Sequence, residues 1–147
     1  MKNRIENSVE LYEKGYNCSQ AILCSYNELL GIDEVTAFRL SEGFGGGMGM
    51  MQGTCGAVTA MFAVLSYFNS DGLLEKGKSK LDNYKEIRRS ADLFIKEYGS
   101  INCKEILQGN TPKALQCGEK VRDAAKIIEQ LLESNFNIET VENRENY

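Results

Sequence analysis

Apolar residues recur at spacings of three and four along most of this chain, and nowhere do apolar and polar residues alternate long enough to propose a sheet. Helices are therefore the building material. A single proline, Pro112, stands in 147 residues, so long helices need not be broken. A hydrophobic fraction of 42% over this length supports one core and is too little for two. The expected fold is all-α, a single-domain helical bundle of about five to seven helices over residues 1–147.

Punctuation divides the chain. Ile5, Val9, Leu11 and Tyr12 mark a first helix that stops at Gly15, and Asn17 caps a second running from Cys18 to about Leu30, with Gly31 behind it. Asp33 opens a third helix, carrying Val35, Phe38 and Leu40. It runs into a tract from Gly43 to Gly53 too dense in glycine for regular structure. Thr54 is the expected cap of an apolar helix that begins at Cys55, ends near Asn69 and looks central. An amphipathic helix from about Ser79 to Tyr98 should turn Leu81, Tyr84, Ile87, Ala91, Phe94 and Ile95 inward and end at Gly99. A short helix from Cys103 to Gln108 precedes a turn through Gly109, Asn110, Thr111 and Pro112. The last helix spans about Cys117 to Glu133, with Val121, Ala124, Ala125, Ile128 and Leu131 inside and a polar tail after it.

Composition narrows the chemistry. Histidine is absent, which removes imidazole-based catalysis and every zinc site that needs a His ligand. A net charge of -4 with scattered lysines and arginines offers no grip on a phosphate backbone, so nucleic acid is not an expected partner. The longest apolar run, 57–68, falls short of the ~20 residues that cross a bilayer. The first residues lack the apolar core of a signal peptide, so a cytoplasmic location is expected. Five cysteines in such a compartment argue against a structural disulfide framework and leave reactive, ligating or buried thiols.

Four of the five, Cys18, Cys55, Cys103 and Cys117, fall where a loop enters a helix; Cys24 lies inside one. Unpaired N–H groups and the positive end of the helix dipole favour a thiolate, which is both nucleophile and metal ligand. A buried cysteine is more often a small hydrophobe, and Cys24 is read that way. No Cys-x-x-Cys occurs, so any joint site must be assembled by the fold. In the glycine tract, the N–H groups of Gly45, Gly46, Gly47, Gly49, Gly53 and Gly56 are candidates to cradle a cofactor, though the tract lacks a P-loop ending and a preceding strand. Close packing beside Cys55 competes with that role. Met48, Met50 and Met51 are read as core rather than as thioether ligands, and Glu42, Lys104 and Lys120 as solvated charges.

Cys18 in Gly-Tyr-Asn-Cys-Ser-Gln-Ala, the glycines leading into Cys55-Gly56-Ala57-Val58-Thr59-Ala60, then Cys103, and Cys117 in Cys-Gly-Glu-Lys-Val form a pattern over nearly the whole chain. It resembles the redox-active C_GCAxxG_C_C family of small bacterial proteins. The resemblance implies that Cys18, Cys55, Cys103 and Cys117 are the functional four, with Cys24 an extra, and that an iron-sulfur or other prosthetic group is a candidate cofactor. Ala60 stands where the family motif has glycine, which touches packing more than thiols. Three functions follow. The first is thiol/disulfide exchange or electron transfer, an oxidoreductase chemistry with an unknown redox partner or small molecule; four cysteines allow three connectivities, of which Cys18 with Cys55 and Cys103 with Cys117 is the one taken as the starting expectation. The second is a module in which the same four thiolates bind an iron-sulfur cluster or zinc. The third is a non-catalytic helical protein, as a homodimer, with its cysteines in the core.

Overall fold

In the computed structural model, residues 3–109 and 115–136 are described; the turn expected around Asn110, Thr111 and Pro112 and the tail beyond residue 136 lie outside them. Among the described residues there are eight α-helices and no strand: α1 (Arg4–Glu13), α2 (Cys18–Ser25), α3 (Asn27–Leu30), α4 (Glu34–Ser41), α5 (Gly56–Asn69), α6 (Lys80–Tyr98), α7 (Cys103–Gln108) and α8 (Cys117–Phe136). A short 3-10 turn, Glu42–Phe44, follows α4. The fold is an all-α bundle.

Local chemistry accounts for the helix starts. Asn17 caps α2 through a reciprocal pair, its side chain accepting from the Gln20 N–H while the Gln20 side chain accepts from the Asn17 N–H. Asn3 and Asp33 cap α1 and α4 in the same one-sided way, accepting from Glu6 and Thr36. The helix expected from Cys18 to Leu30 is broken at Tyr26, where the backbone leaves helical geometry. The break coincides with a long-range anchor. Tyr26 is fully buried, its hydroxyl lies 3.3 Å from the Ala125 carbonyl and 3.2 Å from Glu129 Oε1 on α8, and the Arg4 guanidinium stands over its ring.

The apolar helix α5 is central, packing against α2, α6 and α8, with Ala57, Val58, Met61 and Val64 sealed from solvent. On α8, Val121, Ala124, Ala125, Ile128 and Leu131 are all buried as their spacing predicts. The amphipathic reading of α6 is only half right. Phe94 and Ser90 are buried, but Leu81, Tyr84 and Ile95 are exposed at 78%, 52% and 38%. The first half of α6 stands over a groove of about 540 Å³ against α5, between Phe62 and Ile87, so its apolar residues meet no third layer.

Thr54 does not cap α5. Cys55 is itself the cap residue, with no side-chain cap bond, because Thr54 is held in an isolated antiparallel bridge to Asn102. That bridge joins the cysteine segments: the Cys55 N–H donates to Ile101 O at 2.7 Å and the Cys103 N–H to Gly53 O at 2.7 Å.

Candidate functional site

Cys18, Cys103 and Cys117 are the first residues of α2, α7 and α8, and Cys55 is the cap residue of α5, as the loop-to-helix reading expects. All five cysteines are free thiols, Cys55 and Cys24 buried and the other three half-buried. Cys18 is the most perturbed toward ionisation. A hydrogen bond from the Cys55 thiol, followed by N–H groups of Gly46, Ala57 and Ser19, outweighs the effect of burial and holds Cys18 at about 6. The reciprocal bond keeps Cys55 protonated, well above the usual thiol range, with burial and the nearby Cys18 charge adding to it. The two thiols thus titrate as a coupled pair in which Cys18 is the one favoured as thiolate.

The glycine tract builds the other wall. From Gly46 through Met50 every φ is between 59° and 71°, a left-handed run that glycine tolerates and that Met48 and Met50 adopt at a cost. The run brings Gly46 against Cys18 and Gly47 against Cys103, where a Cβ on Gly47 would lie 2.8 Å from the Cys103 Cβ. Gly56 is as tightly placed: a Cβ there would sit 2.6 Å from the Phe44 carbonyl oxygen and 2.8 Å from the Cys18 sulfur. Gly45 lies against the Asn17 side chain, and the Gly53 carbonyl accepts the Cys103 N–H. Gly49 has more room, its nearest neighbour being the Gly43 carbonyl oxygen. Four of the six glycines named from the sequence, Gly46, Gly47, Gly53 and Gly56, therefore touch the cysteine segments directly. Met50 and Met51 correct the core reading, at 83% and 78% exposed, with Met50 in left-handed backbone within the tract.

Cys103 and Cys117 complete the cluster. Burial pushes the Cys103 thiol up, the Lys120 ammonium opposes this, and the charges of Cys117 and Cys18 raise it again. Lys120 is a second correction. Rather than pointing to water it is 2% exposed, with Nζ 3.7 Å from the Cys117 sulfur. Tyr12, read from sequence only as part of an apolar face, stands beside Cys117; burial, then Cys117 and finally the charge of Cys18, raises its hydroxyl. Its ring packs against Gly118. The i, i+3 spacing of Cys117 and Lys120 was the one sequence signal for the first of these neighbours; no local pattern marks Tyr12. Lys104 and Glu42 are exposed as expected. Cys24 is apart from the cluster, its sulfur 3.8 Å from the Glu34 carbonyl, and burial raises it to about 12.

An iron-sulfur or zinc site asks for three or four ligating side chains converging on one point. Among the described residues no group of three or more Cys, Asp or Glu side chains is placed to hold a metal ion. The arrangement does not fit such a cage. It fits a close pair, Cys18 and Cys55, flanked by Cys103 and Cys117. Nor is any helix of the described residues long and apolar enough to cross a membrane.

The profile of one protein family, described as "Putative redox-active protein (C_GCAxxG_C_C)", matches residues 16–131, a span that contains all five cysteines, the glycine tract and Lys120. No curated protein and no solved structure matches the chain.

Proposed function

Since the chain belongs to the C_GCAxxG_C_C family, we propose that it is a thiol-based redox protein in which Cys18 is the attacking thiolate and Cys55 the resolving thiol. The observation that carries the reading is the seating of the Cys18 sulfur at the start of α5, where a Cβ on Gly56, the residue after Cys55, would lie 2.8 Å from it; the Cys55 thiol and the N–H groups of Gly46, Ala57 and Ser19 around it support a thiolate at neutral pH beside a protonated partner. The substrate is an oxidised sulfur compound or partner disulfide. The Cys18 thiolate attacks one sulfur, an S–S bond to Cys18 forms, and the substrate's bond breaks with its electron pair leaving on the other sulfur. Cys55 then attacks the Cys18 sulfur, the Cys18–Cys55 bond forms, and the second substrate sulfur leaves carrying the electron pair; the Cys55 proton goes to a released thiolate. Two electrons pass to the substrate.

A single domain and a reducing cytoplasm, which keeps the resting dithiol, belong to the same proposal. The test is time-resolved alkylation and mass mapping of the reduced chain as it is oxidised by a small disulfide. Cys18 should react first and Cys18–Cys55 should be the first bond found; Cys18→Ser should abolish it. Equal reactivity of Cys18 and Cys24 would refute the assignment.

A further inference from the structure

The second thiol pair lies beside the first, and its charged neighbour is unexplained by the Cys18–Cys55 chemistry. Lys120 is 2% exposed, and its Nζ lies 3.7 Å from the Cys117 sulfur. From α1, the Tyr12 ring packs against Gly118, the residue after Cys117. Consecutive glycines, Gly46 and Gly47, touch Cys18 and Cys103, so those two cysteines lie on adjacent residues of one tight wall. The bridge between Thr54 and Asn102 ties Cys55 to Cys103 from the other side.

Resting on the reading above, we infer that Cys103 and Cys117 are a second dithiol that re-reduces the Cys18–Cys55 disulfide inside the chain, with Lys120, whose Nζ lies 3.7 Å from the Cys117 sulfur, as the positioning residue for Cys117. The exchange balances without an external reductant. The Cys117 thiolate attacks the Cys18 sulfur; the Cys117–Cys18 bond forms, the Cys18–Cys55 bond breaks, and the electron pair leaves on Cys55. Cys103 then attacks the Cys117 sulfur, its proton passing to Cys55. The Cys103–Cys117 bond forms, the Cys117–Cys18 bond breaks, and the electron pair returns to Cys18. Attack falls on Cys18 because Cys55 is 5% exposed behind it. Regenerating the well-stabilised Cys18 thiolate as the leaving group favours the second step. The chain thereby stores two electron pairs and offers its external reductant the half-buried Cys103–Cys117 bond.

The full chain, reduced and then given one equivalent of diamide, is quenched at intervals and its disulfides mapped by mass spectrometry. A Cys18–Cys55 bond that gives way to Cys103–Cys117 after the reagent is spent is the expected result. In Cys117→Ser the first bond should persist. In Lys120→Met the conversion should slow roughly tenfold, and Lys120→Arg should restore most of the rate, a rescue that a purely packing role would not give. Circular dichroism checks that each variant is helical, and Lys120→Arg carries the test should Lys120→Met unfold. A Cys18–Cys55 bond that forms and stays in the wild type overturns the relay while leaving the first pair intact. A chain in which that bond never forms overturns both.

Discussion

Replacing Cys55 by alanine removes the largest single influence on Cys18 and leaves its three N–H donors in place. A hydrogen bond to a charged group contributes about 1.5–3 kcal/mol. At ~1.4 kcal/mol per pH unit, losing it should raise the ionisation midpoint of Cys18 from about 6 by roughly one to two units. At pH 7 the thiolate fraction then drops from about nine-tenths to between about one-half and one-tenth. At pH 5 the same shift lowers it about 10- to 100-fold, so acid conditions give the larger signal. The assay is the rate of iodoacetamide capture at Cys18 from pH 4.5 to 9, read peptide by peptide on fully reduced protein with Cys24 as the internal reference. Alanine carries no proton to donate and forms no disulfide, so the change reports the bond alone. An identical midpoint in wild type and Cys55→Ala, or a wild-type midpoint in the ordinary thiol range, would refute the coupled-pair account.

Stability of the reduced protein should follow the same group. Cys18 is an acid whose folded value lies below its unfolded one, so its contribution is full above the unfolded value near 9.0 and is lost as pH falls through about 6. Thermal unfolding from pH 9 to 5.5 should therefore show a decline in Tm that Cys18→Ala flattens. Cys24, buried and held at about 12, should resist alkylation at pH 8 in the native chain and react only on unfolding, as mass mapping in urea would show. Gly56→Ala forces a methyl toward the Phe44 carbonyl and the Cys18 sulfur; urea denaturation should show a loss of about 1–3 kcal/mol together with slower capture of Cys18. Met50→Gly relieves a left-handed residue whose side chain is mostly in water, so the same titration should show a gain of up to about 1 kcal/mol.

Helix content, most helix boundaries and the buried face of α8 were legible along the chain because they arise from interactions within a few residues. Asn17 and Asp33 cap their own helices, Gly31 and Gly99 stop theirs in left-handed geometry, and a spacing of three and four decides which side of α8 is apolar. The placement of four cysteines at helix starts was local in the same sense, as was the separation of Cys24 from them. Where α6 finds a partner was not local. Leu81 and Tyr84 have the right spacing but stand exposed, Tyr84 beside a groove against α5, and only the packing of other helices decides that.

The site itself needed the tertiary structure, since its chemistry depends on groups far apart in sequence. Cys18 acquires its donors from Cys55, Gly46 and Ala57, and Cys117 its neighbours from α1 and from its own next turn. Lys120 reads as solvated until the fold buries it, and Met50 and Met51 read as core until the glycine tract leaves them exposed. Composition and spacing determined that this chain builds helices and sets four cysteines where loops enter them. Which sulfur is favoured as thiolate was decided only by the fold, which sets Cys55 and the Gly46 and Ala57 N–H groups around Cys18, because electrostatic stabilisation falls off with distance through space and not with separation along the chain.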